Sequence, residues 1–580
     1  MSFLRNTFMN VYKKKAYPNY WDVLALIFVL GVIMLLAWDA KQMAVPYELG
    51  QTTSISLDPR YLPGYALRTV LRMFIALIFS LLFTFIFATW AAKSKRAEKI
   101  IIPFIDILQS VPILGFLSIT VVTFISLFPG SLLGPECAAI FAIFTSQAWN
   151  MALGFYQTVR SVPAELNEAA DMFHLSAWQR FWRIDVPFSL PGLLWNTMVS
   201  MSAGWFFVVA SEAISVSNQE ILLPGIGSYI TLAIQSANMK AIGYAILAMF
   251  IVILIYDQLV FRPLVAWAEK FKAELVSQEG REARSWVINI YNRTRFLRYF
   301  GVKLKYFSDA IVNISFLRSR SAPIIPPKIN PYLRYIHWIW NILLTAAIIY
   351  TLIFSILFIW RNIPLGSIEH VFLLGLVTAL RVFVLVVLCS LVWVPIGVWV
   401  GLRPNVAYVV QPIAQFLAAF PANLLYPFVV IFIVTYHLNV NIWATPLMIL
   451  GAQWYVLFNV IAGASVIPKD LLQVADNLGL STWLRWKRLI LPGIFPYYIT
   501  GAITAAGGAW NASIVAEVVS WGNTKLVATG LGAYISEYTA KGDFVRTALS
   551  IGMMCILVLI FNHLVWRPLY RISEKRFMLD

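Results

Sequence analysis

Apolar residues in this chain come in long runs, not in alternation with polar ones. Val23 to Leu36, Phe74 to Ala88 and Ala379 to Val400 have helical character, which predicts a bundle of membrane-spanning helices over a barrel. Segments long enough to cross a hydrocarbon core of roughly 30 Å number six before residue 265, near 22–38, 66–91, 103–128, 136–156, 190–211 and 241–262. Six more follow near 334–360, 370–401, 411–436, 442–462, 494–516 and 546–566. The expected fold is an all-α polytopic membrane protein of about twelve spans.

The polar positions show that these spans form two copies of one unit. With an offset of 309, Leu71-Arg72 meets Leu380-Arg381, Pro103 meets Pro412 and Pro112 meets Pro421. After a four-residue shortening the offset becomes 305, and pairs Trp205 with Trp510, Glu212 with Glu517, and Arg262-Pro263-Leu264 with Arg567-Pro568-Leu569. An even number of spans per unit predicts parallel repeats about an axis along the bilayer normal. The expected organisation is a first transmembrane domain over 1–264, a basic connector over 265–333, and a second transmembrane domain over 334–580. The connector reads as cytosolic, either partly an amphipathic helix on the inner leaflet or a solvated linker.

Composition agrees with a membrane protein: 60% of residues are hydrophobic and 12% charged, half the usual share for a soluble domain. The net charge of +17 raises the question of nucleic acid. Its placement answers otherwise, because the basic clusters fall on alternate sides of successive apolar runs, which is the positive-inside pattern. Both termini are therefore expected in the cytosol, and no nucleic-acid partner is expected. Lys13 to Lys15 precede the first run and no cleavage pattern follows it, so that run reads as a retained helix. Cys137, Cys389 and Cys555 are far apart and suit buried small hydrophobes, and the five histidines share no ligand spacing. No metal site is expected.

Two polar stretches break this pattern at equivalent places, between the fourth and fifth spans of each unit. EAADMFHLSAWQRFWRIDVP runs from Glu168 to Pro187, and QVADNLGLSTWLRWKRLILP from Gln473 to Pro492; from Pro163 to Pro187, ten of twenty-five positions match the second copy. Pro163 and Pro468 suit a first helical turn, Glu165 and Asp470 its positive end, and Gly479 a left-handed stop. Ser176 with Gln179 then forms a capping-box pattern for a second short helix ending before Pro187. The expected result is a helix-turn-helix protrusion anchored by Trp178 and Phe181, or by Trp483 and Trp486. Two matched protrusions with exposed aromatics give nothing to bilayer stability and suit docking of a soluble partner, the plainer reading being ordinary amphipathic loops.

The spacing of these stretches resembles the EAA loop of ABC importer permeases: Glu168-Ala169-Ala170, His174 and Pro187 in the first copy, Gln473, Ala475, Gly479 and Pro492 in the second. The chain is similar to the duplicated permease component of the anion-type branch that carries nitrate, sulfonate, taurine or bicarbonate. The resemblance implies a type I (MetI-like) importer fold in a bacterial or archaeal inner membrane, and a loop that couples to the ATPase. It also implies two ABC ATPase subunits or domains and an extracytoplasmic solute-binding protein as partners. No G-x-x-x-x-G-K-[ST] occurs in the chain, so no cofactor is expected here, ATP is expected to be used by partner subunits, and the chain itself is not an enzyme. Two departures stand out. His174 replaces the family's glycine, so the first turn is a candidate to differ from the second, and Gln473-Val474 lacks the carboxylate of Glu168.

Polar residues inside spans are candidates for the solute pathway. Asn511 and Ser513 face Phe206 and Val208 in the repeat, Ser211 faces Ala516, and Glu212, Glu517, Arg72 and Arg381 lie near the expected outer face. Small polar groups also hydrogen-bond neighbouring helices, and the Arg and Glu residues also suit structural salt bridges or snorkelling. A gradient-driven transporter with parallel repeats is the alternative; it calls for charges near mid-span, of which Asp106 is the nearest example. A scaffold or receptor that recruits a partner through the protrusions is a third.

Overall fold

A computed structural model describes residues 19–43, 45–47, 55–216, 219–268, 285–313 and 360–577, with scattered positions between 342 and 357. Most of the expected span near 334–360, and the connector stretches 269–284 and 314–333, lie outside the described residues, as does the side chain of Asp106. Among the described residues nine helices are long and apolar enough to cross a membrane, or ten when one bent pair is taken as a single span. In hydrocarbon each backbone N–H and C=O must be satisfied internally, which is why such sequences resolve into helices.

The first half comprises α1 (Tyr20–Gln42), α2 (Pro59–Lys93), α3 (Lys95–Ser110), α4 (Ile113–Leu127), α5 (Leu133–Arg160), α6 (Ala164–Met172), α7 (Ala177–Glu212), α8 (Ile226–Gln235) and α9 (Met239–Ala268). Two connector helices follow, α10 (Trp286–Arg293) and α11 (Arg295–Val312). On α11 Tyr299, Leu304, Tyr306 and Phe307 are all exposed. The second half comprises α12 (Leu365–Gly401), α13 (Pro404–Ala419), α14 (Tyr426–Thr435), α15 (Val440–Val466), α16 (Lys469–Asn477), α17 (Thr482–Ala516), α18 (Leu531–Lys541) and α19 (Phe544–Ser573).

The chain divides into two compact units, one of 1–42, 154–196 and 254–328, the other of 43–153, 197–253 and 329–580. In the larger unit α15 packs closely along α12 and α17 because small residues line the seam. A Cβ at Gly501 would meet the Tyr455 carbonyl at 2.8 Å, and one at Gly401 the Ile461 carbonyl at 2.6 Å. Without a hydrophobic force between helices in lipid, this close backbone approach supplies the packing.

The expected third span of each half is not one helix. Val111 (φ −76°, ψ 127°) and Phe420 (φ −73°, ψ 125°) are extended and break it before Pro112 and Pro421. In the second half the two pieces are bent by 76°. A proline forces its predecessor out of the helical region, so the prolines aligned by the repeat mark a break that hydropathy alone reads as continuous.

Proline also corrects the expected end of the short helix at Pro187. Ala177–Arg180 does not stop; it passes through a π turn, Phe181–Asp185, into the long helix Val186–Glu212. The second copy does the same through Trp486–Ile490, and the closing helices of both halves through Asp257–Phe261 and Asn562–Trp566. Each of these four turns is followed two residues later by a proline: Pro187, Pro492, Pro263 and Pro568. A proline ring clashes with the carbonyl four residues back, and in each case that residue lies in the widened turn.

Each half also holds a hairpin absent from the sequence reading. β1 (Ala213–Val216) pairs antiparallel with β2 (Gln219–Leu222), and β3 (Val518–Trp521) with β4 (Thr524–Val527). They immediately follow Glu212 and Glu517, and four residues are too few to register against the flanking apolar helices.

Candidate functional site

The two polar stretches fold as a matched pair of helical hairpins. In the first, α6 ends with His174 at φ +49°, with the His174 N–H donating to the Asp171 carbonyl and the Leu175 N–H to the Ala170 carbonyl, both at 3.0 Å. In the second, Gly479 has φ +59°, and its N–H and that of Leu480 reach the carbonyls of Asp476 (3.0 Å) and Ala475 (3.1 Å). Both are Schellman turns. The expected departure at His174 is therefore not seen: histidine adopts the glycine conformation, at a cost of about 1–2 kcal/mol for a side chain in the left-handed region.

The capping box is present, with the Ser176 side chain accepting from the Gln179 N–H and the Gln179 side chain accepting from the Ser176 N–H. An ion pair clasps the two arms of each hairpin, Arg180 to Asp171 in the first and Arg485 to Asp476 in the second. Glu168, Gln473, His174 and Gly479 are exposed, Ala170 and Ala475 are buried beneath them, and Ala169, Pro187 and Pro492 are half-buried. Met172 and Phe173 at the first tip are 81% and 78% exposed, and Leu478 at the second is 69% exposed. Such apolar tips on a charged hairpin have the character of a binding surface.

One of the four expected aromatic anchors differs from expectation, while Trp486 is partly buried against the core as expected. Phe181 is buried and Trp178 lies near it with ring centroids 6.3 Å apart, but Trp483 is 73% exposed and anchors nothing. Trp178 is half-buried, and its indole N–H donates to the Ile311 carbonyl at the end of α11, 3.1 Å away.

The arginines and glutamates near the expected outer face form two buried clusters. Arg72 grips Glu136 with two parallel bonds (2.5 and 2.7 Å), donates to Glu212 at 2.6 Å, and reaches the Pro224 carbonyl at 3.0 Å. Glu212 also accepts from the Thr69 hydroxyl (2.7 Å) and from the Gly227 N–H (2.6 Å), which places its carboxylate at the N-terminus of α8. In the second half Arg381 donates to Glu517 at 2.7 Å and to the side chain and carbonyl of Asn441 at 3.1 and 3.2 Å. Thr378 and the Ala533 N–H complete the set around Glu517 at 2.9 and 3.0 Å. A Cβ at Gly225 or Gly530 would overlap the glutamate carboxylate.

A family profile described as the binding-protein-dependent transport system inner membrane component matches the chain twice, over residues 80–262 and 393–578, more than half of its length. The chain belongs to that family. It is 31% identical over 149 residues to the bicarbonate transport system permease protein CmpB of Synechocystis sp., covering 26% of this chain and 50% of CmpB. It is 26% identical over 185 residues to the nitrate import permease protein NrtB of Leptolyngbya laminosa, covering 32% and 63%. Against the glycine betaine/proline betaine transport system permease protein ProW of Escherichia coli it is 28% identical over 225 residues, covering 38% and 59%. The chain spans about half to three-fifths of the length of these relatives. The duplicated domain match and the helical architecture establish a transport permease component of the duplicated MetI-like fold, a multi-pass membrane protein.

Within this permease the pathway candidates are placed mostly in sealed positions. Arg72, Ser211, Glu212, Ser513 and Glu517 are fully buried and Arg381 is 7% exposed. Ser211 and Ser513 each donate to a carbonyl of their own helix, Val208 at 3.2 Å and Trp510 at 2.8 Å. Asn511 differs: it is half-buried, its amide oxygen accepts from the Ile113 N–H at 2.7 Å, and it thereby caps the broken segment of the other half. Sequence reasoning missed Glu136 with its counterpart Asn441, and Thr69 with Thr378. The repeat offsets of 305 and 309 reach these positions, and an acidic residue at the head of an apolar run was the available signal.

Proposed function

We propose that this chain is the membrane-spanning permease of an ABC importer, with both transmembrane domains on one polypeptide and energy supplied by separate ATPase subunits. The observation that supports it best is the pair of hairpins at repeat-equivalent positions, each with a Schellman turn, an Arg–Asp clasp and an exposed apolar tip. One such hairpin suits an ordinary inner loop; two of the same construction suit a two-fold partner. Glu168, Ala169, Ala170, His174 and Pro187, with Gln473, Ala475, Gly479 and Pro492, mark the coupling surfaces.

In this reading the domains run over 1–264 and 334–580 around the connector 265–333, the termini lie in the cytosol by the charge pattern, and the membrane is the bacterial or archaeal inner membrane. An extracytoplasmic protein delivers the solute, for which a small anion is proposed on the likeness to bicarbonate, nitrate and taurine permeases. The glycine betaine permeases among the relatives make a betaine the competing solute. Asn511 is the pathway candidate that retains accessible surface.

Purification from native membranes in mild detergent, with the stoichiometry of co-isolated soluble proteins, tests the reading. Two copies of a P-loop ATPase per chain, lost when both hairpins are scrambled, support it. Absence of any ATPase overturns it.

A further inference from the structure

We propose that the connector is a strut that presets the first coupling hairpin through contacts the second hairpin cannot copy, so that the two hairpins are not equivalent. Three donors on the first hairpin converge on the end of α11. The Trp178 indole N–H reaches the Ile311 carbonyl, and the Gln179 amide and the Arg183 guanidinium both donate to the Asn313 side-chain oxygen, each at 3.1 Å. Asn313 also closes its own helix, its amide donating to the Asp309 carbonyl at 2.7 Å. The last carbonyls of a helix carry partial negative charge and lack partners within it, so an indole N–H is a group such an end recruits, while the Arg183 guanidinium reaches the end through the Asn313 side chain.

The repeat supplies an internal control. The positions equivalent to Trp178, Gln179 and Arg183 are Trp483, Leu484 and Arg488. Leu484 offers no donor, and Trp483 is 73% exposed where Trp178 is half-buried. Among the described residues the second hairpin therefore has the same turn and clasp and a capping serine, Ser481, but neither the reciprocal half of the capping box nor the strut. Asn313 and the end of α11 act as positioning groups: they touch the hairpin, and the hairpin touches the partner.

The effect on transport rests on the reading of these hairpins as coupling loops, but the strut does not. Hydrogen exchange on the full-length chain in lipid nanodiscs, without any partner, tests the strut alone. Asn313→Leu removes the acceptor shared by Gln179 and Arg183, and amides over 171–183 are expected to exchange roughly tenfold faster, the factor that a lost charge-assisted hydrogen bond represents. Asn313→Asp keeps two acceptor oxygens and is expected to restore protection. Amides over 476–488 are expected to stay unchanged in both. Should Asn313→Leu fail to insert, Trp178→Phe keeps an aromatic six-membered ring at the position and removes the donor to Ile311 together with the pyrrole half of the indole, with the same expected acceleration. Unchanged exchange over 171–183, or equal acceleration in both hairpins, overturns the proposal. With an ATPase bound, Asn313→Leu is expected to lower solute moved per ATP while Asn313→Asp does not; a wild-type chain that binds no ATPase defeats the coupling reading and leaves the exchange result to decide the strut.

Discussion

The buried cluster of the first half surrounds one arginine with two carboxylates, and that of the second surrounds one arginine with one carboxylate and an asparagine. Glu136 and Asn441 stand at the same place in the repeat, and both accept from the arginine through a side-chain oxygen. The two copies thus preserve the acceptor and its position while formal charge differs by one. What the fold requires at this place is a hydrogen-bonded tie between α2, α5, α7 and the start of α8 in the first half, and between α12, α15, the end of α17 and the start of α18 in the second, and either residue supplies it.

The largest effect expected is from removing the arginine. Arg72→Ala strands two buried carboxylates, and breaking a buried pair costs about 3–5 kcal/mol, so loss of a folded detergent-solubilised protein is the expected outcome. Arg381→Ala strands one carboxylate and is expected to be the milder of the two in thermal unfolding. Equal losses would show that the extra charge of the first cluster carries no energetic weight. Glu136→Asn copies the second half into the first and sharpens the comparison: the acceptor remains, and a cost of under about 2 kcal/mol is expected, of the order of one imperfect hydrogen bond.

The hairpins give the next contrast. His174→Gly gives the first turn the residue of the second and relieves the left-handed side chain, with an expected gain of about 1 kcal/mol in stability. The reverse change, Gly479→His, is expected to cost a similar amount. Smallest of all are the clasps: Asp171→Ala and Asp476→Ala break exposed ion pairs, worth about 0.2–1 kcal/mol each, and both variants are expected to unfold within a few degrees of the parent. Glu168→Lys is expected to leave stability intact while lowering transport per ATP, since the carboxylate is exposed and touches nothing that holds the fold.

Much of this was legible before the structure. The apolar runs and the two repeat offsets carry the duplicated helical fold, because a bilayer permits few alternatives, and the Ser176 and Gln179 pair announced a capping box that is present. Other features were hidden for definite reasons. Hydropathy does not register a break at Pro112 or Pro421, since apolar residues continue across it. Pro187 and Pro492 read as helix ends, whereas a π turn absorbs the clash and the helix continues. His174 looked like a departure, but the turn is fixed by backbone hydrogen bonds that any residue tolerating positive φ can serve. Arg72 and Glu212 were visible as charges in spans, yet their burial depended on Glu136, far along the chain and brought close only by folding.

The central claim is that this permease is driven through its two hairpins by a separate ATPase. Solute uptake into proteoliposomes holding the chain with the ATPase and solute-binding protein proposed as its partners tests it most directly, with proton and sodium gradients dissipated. Uptake that requires ATP, survives loss of both gradients and fails when both hairpins are scrambled is the predicted result. Uptake that needs no ATP and collapses with a gradient would contradict the account and make the chain a gradient-driven transporter.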